Sequence, residues 1–282
     1  MITRCVCSTG GGAMRSQQVD WVAVPAGVLR RGAPLEEVAA VARRYAETGV
    51  PVEWYMKEAP RAQIHLPAFR IARTPVTVGQ WALFAKAGGR PVPQKPASHP
   101  VTGVTWEAAT ACCRWLGERI GLDVRLPTED EWERAARGDD DGEFPWGGEY
   151  RTGLANLVDL GIGTTTPVGS FPGGGSPFGV LDMAGNADGW TCTPYAPYPG
   201  APPQVPSTEP WAFDRHITRG GAFRHDRDLA RCARRHRPRR TGHHADITSR
   251  ADPPQGCAWI AVPTCTFRCT PTPAPGGGRW RW

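Results

Sequence analysis

Lysine is scarce in this chain. Of 33 basic residues only Lys57, Lys86 and Lys95 are Lys, so arginine carries nearly all of the basic side of a formal net charge of +6. Long apolar runs are missing as well. No stretch reaches the roughly 18 residues that a membrane-crossing helix needs, so no membrane partner is expected. Met1–Gln18 contains no apolar segment of the kind found in signal peptides. The expected compartment is therefore the cytoplasm, with 1–18 read as a disordered N-terminal extension and Met14 near the true start. No nucleophile elbow occurs, which argues against a Ser-His-Asp hydrolase, and no phosphate loop occurs either. The nine Cys are odd in number and irregularly spaced, so free thiols in a reducing compartment are expected rather than a disulfide framework.

Turn formers and large rings, by contrast, are abundant: 34 Gly, 29 Pro and 12 Trp. Many Gly and Pro imply many turns and long ordered loops. Many Trp imply a core in which big rings anchor those loops. The profile suits an irregular α+β domain better than a helical bundle or a doubly wound sheet.

Periodicity supplies the elements. Residues 19–32 read as an opening strand and hairpin. Leu35, Val38, Ala39, Ala42 and Tyr45 recur at helical spacing across 34–48. Ile64, Leu66, Phe69 and Ile71 alternate closely enough to predict one strand over 61–73. Thr77 with Gln80, and Thr105, are placed to cap helices whose buried faces carry Trp81, Phe84 and Ala85, and Ala108, Cys112, Trp115 and Leu116. Beyond Gly138 the chain turns loop-rich, and 194–210 alone hold seven Pro. The tail, 251–282, is read as atypical and poorly ordered.

The most informative stretch is Arg125–Gly138, Arg-Leu-Pro-Thr-Glu-Asp-Glu-Trp-Glu-Arg-Ala-Ala-Arg-Gly. Thr128 and Glu131 stand at capping-box spacing. Trp132, Ala135 and Ala136 form an apolar face, and Gly138 stands where a helix end favours positive φ. This stretch resembles a signature of the sulfatase-modifying-factor family, whose founding members are formylglycine-generating enzymes. Val22–Gly27, Phe69–Phe84, His99–Trp115, Pro145-Trp146-Gly147, Asn156, Pro167–Phe171, Gly179–Trp190 and Arg219-Gly220-Gly221 follow the family's motif order. The resemblance runs over about 19–250 and implies an α+β, C-type-lectin-like fold, rich in loops with few short helices and strands.

That fold hosts unlike functions, so activity has to be read from the site. In the formylglycine-generating enzymes a copper ion is held by two closely spaced Cys after the Gly-Gly strand, and a cysteine of a client protein is oxidised. Related modules belong to sulfoxide-forming non-haem iron enzymes, in which a separate helical domain supplies the His ligands. Other members are binding scaffolds. Here Ala222–Ala230 contains no Cys, and a soft monovalent copper wants thiolates. Cys232 is the candidate catalytic residue if the chain is an oxidase, the alternative reading, with copper its cofactor only then. Its other reading is a small structural residue in an Arg-Cys-Ala strand. The family's calcium motif is represented by Asn186 and Asp188, with Gly189 at the carboxylate position, so calcium would depend on those two residues. His225, Asp226, Asp228, His236, His243, His244 and Asp246 supply zinc- or iron-type ligands without a named spacing.

The leading expectation is a non-catalytic ligand- or protein-binding scaffold. Its ligand-facing surface is expected at Trp190, Tyr195, Arg224, His225, Arg227 and His236, joined by Tyr198 and Trp211, because Arg and aromatic side chains concentrate interface energy. An acidic protein or peptide is the expected partner. Nucleic acid is second, suggested by the Arg run over Arg231–Arg240, whose other reading is structural arginine.

Overall fold

The computed structural model describes residues 19–205, 216–236 and 261–263. Two small antiparallel ribbons and a three-stranded sheet surround a set of short helices, with ordered loops between them. Strand β1 (Trp21–Val24) pairs with β4 (Phe69–Ala72), in the register Trp21 opposite Ala72 and Val24 opposite Phe69. Strand β2 (Gly27–Arg31) pairs with β3 (Ala62–Leu66). The single strand predicted over 61–73 is thus two strands in two sheets. Pro67 stands at the break, where it can donate no ladder hydrogen bond and its ring fixes φ.

The tail expectation also needs correction. Ala261–Pro263 form β7, antiparallel to β4 on the edge away from β1, with Pro263 opposite Phe69. The rest of 251–282, and 1–18, lie outside the described residues.

The helix predicted over 34–48 is shorter and turned. Helix α1 (Val38–Arg44) lies between 3-10 turns at Leu35–Glu37 and Ala46–Thr48. Val38, Val41 and Tyr45 are buried, whereas Leu35 and Ala39 are exposed. Helix α2 (Val52–Met56) follows Pro51 and was not predicted.

The capped helices form as expected. Helix α3 (Val78–Ala87) begins with the reciprocal Thr77–Gln80 box, and helix α4 (Trp106–Ile120) with Thr105 accepting from the Ala108 amide. Helix α5 (Glu129–Arg137) starts with the Thr128–Glu131 box. Arg125 locks that box from outside, donating to both Glu131 carboxylate oxygens at 2.7 and 2.6 Å.

Trp81, Phe84, Cys112, Cys113 and Trp190 belong to one apolar cluster under α3 and α4. Trp132, Ala135, Ala136, Met183 and Cys232 belong to a second, against β1 and β4. Strands β5 (Gly189–Pro194) and β6 (His216–Arg219) close the domain and lead into Gly220-Gly221. At Gly220, φ is +91° and a Cβ would stand 2.8 Å from the Met183 carbonyl oxygen. The backbone of the late loops therefore packs directly on the core at this point, which only glycine permits. The chain adopts the loop-rich α+β fold expected from its motif order. Among the described residues no helix is long and apolar enough to cross a membrane.

Candidate functional site

The arginine run is mostly internal. Arg231, Arg234 and Arg235 are buried, and each has acidic partners brought from elsewhere in the chain. Arg231 forms a bidentate pair with Glu58 (2.8 and 2.6 Å), and its guanidinium lies 5.1 and 5.3 Å from the Tyr45 and Tyr55 ring centroids. Arg234 reaches Asp228 at 3.3 Å and donates to the Trp54 carbonyl. Arg235 and Arg219 both bind Glu129, each at 2.7 Å, and Arg219 also reaches Glu133 at 3.0 Å. Burial alone would raise the Glu129 pKa, but the two guanidinium groups outweigh it and hold the carboxyl below its ordinary range. Arg231, Arg234 and Arg235 are thus engaged inside the fold, as the structural reading of the run had it. Arg237, Arg239 and Arg240 lie outside the described residues.

Cys232 is fully buried in the second apolar cluster. Its amide donates to the Glu143 carbonyl at 2.8 Å, and its own carbonyl accepts from Arg219 at 2.7 Å. Burial pushes its thiol up to about 12, far from the thiolate form that oxidation or metal binding requires. The other free Cys among the described residues, Cys112, Cys113 and Cys192, belong to or pack on the first cluster. The family's two-thiolate copper site does not fit these residues. In the described structure Cys232 is a core residue, which fits its reading as a small structural residue of the Arg-Cys-Ala segment rather than the alternative catalytic one.

The two calcium candidates part company. Asn186 takes a left-handed backbone (φ +63°), a conformation asparagine tolerates. Its side-chain oxygen accepts from the Thr166 amide at 2.9 Å and from Asn156 at 3.4 Å, and its amide nitrogen donates to the Thr166 carbonyl and to Asp182. These contacts make Asn186 a clamp between loops. Asp188 instead turns its carboxylate toward His225, at 3.7 Å between Oδ2 and Nδ1. An imidazole-rich surrounding does not suit calcium, which takes six or more oxygens.

Two of the six expected surface residues converge. The His225 and His236 rings meet edge to face with centroids 5.2 Å apart, and both are partly exposed. Ligand atoms of Asp188, His225 and His236 all lie within 4.8 Å of one another. Arg224, exposed and next in sequence to His225, lies over the Phe223 ring. Lys95 donates to the Thr102 hydroxyl at 2.8 Å, and burial, then the Arg224 charge, lower its pKa. Arg227 turns away from the pair of histidines, binding Glu47 at 2.7 Å and lying over Tyr45. Tyr195 stands apart as well, between Lys57 and Arg235. Trp190 is a correction: it is buried in the first cluster, with its indole donating to the Val104 carbonyl, and cannot face a ligand. Tyr198 is buried against Arg31 and Arg235. Trp211, His243, His244 and Asp246 lie outside the described residues.

Sequence reading paired Asp188 with Asn186 because they share a motif, and the distance along the chain hid its approach to His225. Lys95 went unnoticed for the same reason. The scarcity of lysine was the one signal available for it.

A family model described as sulfatase-modifying factor enzyme 1-like domain matches residues 11–250. Among curated proteins, the chain is 32% identical over 210 residues to hercynine oxygenase of Mycobacterium tuberculosis, covering 59% of this chain and 48% of that protein. The formylglycine-generating enzyme of Mycobacterium tuberculosis is 41% identical over 115 residues, 36% of each chain. The chain therefore spans about half the length, or less, of these relatives. Among solved structures, PvdO from Pseudomonas aeruginosa has a TM-score of 0.64 at 24% identity, covering 86% of this chain and 94% of its own.

Proposed function

The chain belongs to the sulfatase-modifying-factor family, and on that premise we propose that this domain is a binding scaffold rather than a copper-dependent cysteine oxidase. The observation that carries the reading is the burial of Cys232 in the core, combined with a thiol-free Ala222–Ala230. Among the described residues the late loops give a soft copper ion no pair of thiolates. What the late loops offer instead is the partly exposed His225–His236 pair with the exposed Arg224 next to His225 in sequence. Cations beside imidazoles suit an acidic peptide or protein surface. The nucleic-acid reading is weakened because three arginines of the run are spent inside the fold.

A second reading, oxidation of a protein cysteine, draws on the similarity to formylglycine-generating enzyme and hercynine oxygenase. One paired experiment separates the two. The purified chain, supplied with copper(I) and a Cys-containing sulfatase peptide, should yield no formylglycine by mass spectrometry. Acidic peptides should bind it in fluorescence anisotropy, and an Arg224→Ala, His225→Ala double variant should lose that binding while melting at an unchanged temperature. Formylglycine formation that Cys232→Ser abolishes would overturn the scaffold reading. Binding that survives the double variant would place the ligand elsewhere.

A further inference from the structure

We propose that Asp188, His225 and His236 bind one divalent transition-metal ion of the zinc or iron(II) type. The three side chains come from separate loops and offer two imidazoles and one carboxylate, with ligand atoms all within 4.8 Å of one another. Ligands sharing one ion at about 2.0–2.2 Å stand roughly 3–3.5 Å apart, so the cluster needs to close by only about an ångström.

Asp188 supplies an independent sign of a missing partner. Its side chain is 3% exposed. Burial raises its pKa, and His225 and then the Gly221 backbone act against that rise, but Oδ1 is left without a hydrogen bond of good geometry among the described residues. An orphaned buried carboxylate oxygen is costly, and a bound cation removes the cost. The second oxygen, Oδ2, faces Nδ1 of His225 at 3.7 Å. The Ala222 amide donates to that same Nδ1 at 3.0 Å, which marks it as the unprotonated nitrogen. Two electron-pair donors thus stand 3.7 Å apart with no proton shared between them, a separation that a bridging cation would suit. Binding through Nδ1 displaces the Ala222 contact, and the ion–nitrogen bond replaces it.

The donor set narrows the ion. Two nitrogens and one carboxylate disfavour calcium and magnesium, and the lack of thiolates disfavours copper(I). Three protein ligands leave coordination positions open. The histidine side is the way in, since the His225 side chain is 27% exposed. An ion there would give an incoming ligand or water a Lewis-acidic contact beside Arg224.

This inference is independent of the scaffold reading, because the ion is measured with no peptide or partner present. The full chain, stripped with chelator, is titrated with cobalt(II) and zinc(II). The expected result is one saturable equivalent, with cobalt(II) giving ligand-field absorption that zinc displaces. Asp188→Asn and His225→Gln should each weaken binding on the order of 100-fold, and a His243→Ala, His244→Ala double variant should bind as the parent does. Absence of saturable binding would overturn the site, as would an affinity that follows the double variant and ignores His225→Gln. Should either ligand variant melt early, paramagnetic broadening of the parent's His225 and His236 ring signals by cobalt(II) decides the matter. Unbroadened rings reject the site.

Discussion

Arg231 and Glu58 face each other in parallel, with two hydrogen bonds of 2.8 and 2.6 Å and side chains 2% and 1% exposed, although they stand 173 positions apart in the chain. The Tyr45 and Tyr55 rings, themselves stacked with centroids 6.5 Å apart, both lie beside the guanidinium. This pair ties the segment after α2 to the late loop bearing His225, so it supports the candidate site from beneath.

Breaking it should be expensive. Glu58 also faces Arg234 at 3.6 Å, so Glu58→Gln leaves two buried guanidinium groups short of charge. The expected loss is about 3–5 kcal/mol in denaturant unfolding. The exposed pair Arg227–Glu47 provides the contrast, and Glu47→Ala should leave the unfolding midpoint nearly unchanged.

Helix α5 gives two graded predictions. Trp132 is fully buried, and Trp132→Ala should cost about 3–5 kcal/mol through the cavity it leaves. Thr128→Ala removes the oxygen that accepts from the Glu131 amide and should cost about 1 kcal/mol. Urea titrations of both variants check the ratio, and equal losses would contradict the assigned roles.

A pH dependence follows from Glu131. Burial raises its pKa, but the Arg125 pair and the Thr128 amide prevail and hold it below the ordinary 4.5. A carboxyl depressed in the folded state stabilises above its unfolded pKa, and that contribution disappears as pH falls through the folded value. Glu131→Gln keeps a capping side chain, as Gln80 does in α3, but loses the ion pair. It should cost about 1–2 kcal/mol at neutral pH. The difference from the parent should shrink steadily below pH 4.5.

Cys232 should be inert in the folded protein. With a thiol at about 12 and no exposure, its peptide should remain unlabelled by a maleimide at pH 8 and become labelled only in denaturant. Rapid native labelling would put the thiol at the surface and reopen its catalytic candidacy.

Local chemistry made much of this fold legible from the sequence. The caps at Thr77, Thr105 and Thr128 depend on residues within one helical turn, and the motif order from Val22 to Gly221 carried the family. What the sequence could not decide was which polar groups go inside. Glu129, Glu133, Arg134 and Arg137 look like the wet face of an amphipathic helix, yet all are buried. Their partners, such as Arg219 for Glu129 and Glu133, come from distant segments. The same holds for Arg231–Arg235, whose sequence allowed either a binding patch or structural arginine; Glu58, Asp228 and Glu129 stand beside them only in the folded chain. Trp190 read as a site residue and is core, Cys232 lies in the core as its structural reading had it, and Asp188 left its calcium motif for His225. Capping and periodicity act within a few residues and were written in the sequence. The burial of charge depends on neighbours that only folding brings together, and that the tertiary structure alone decided.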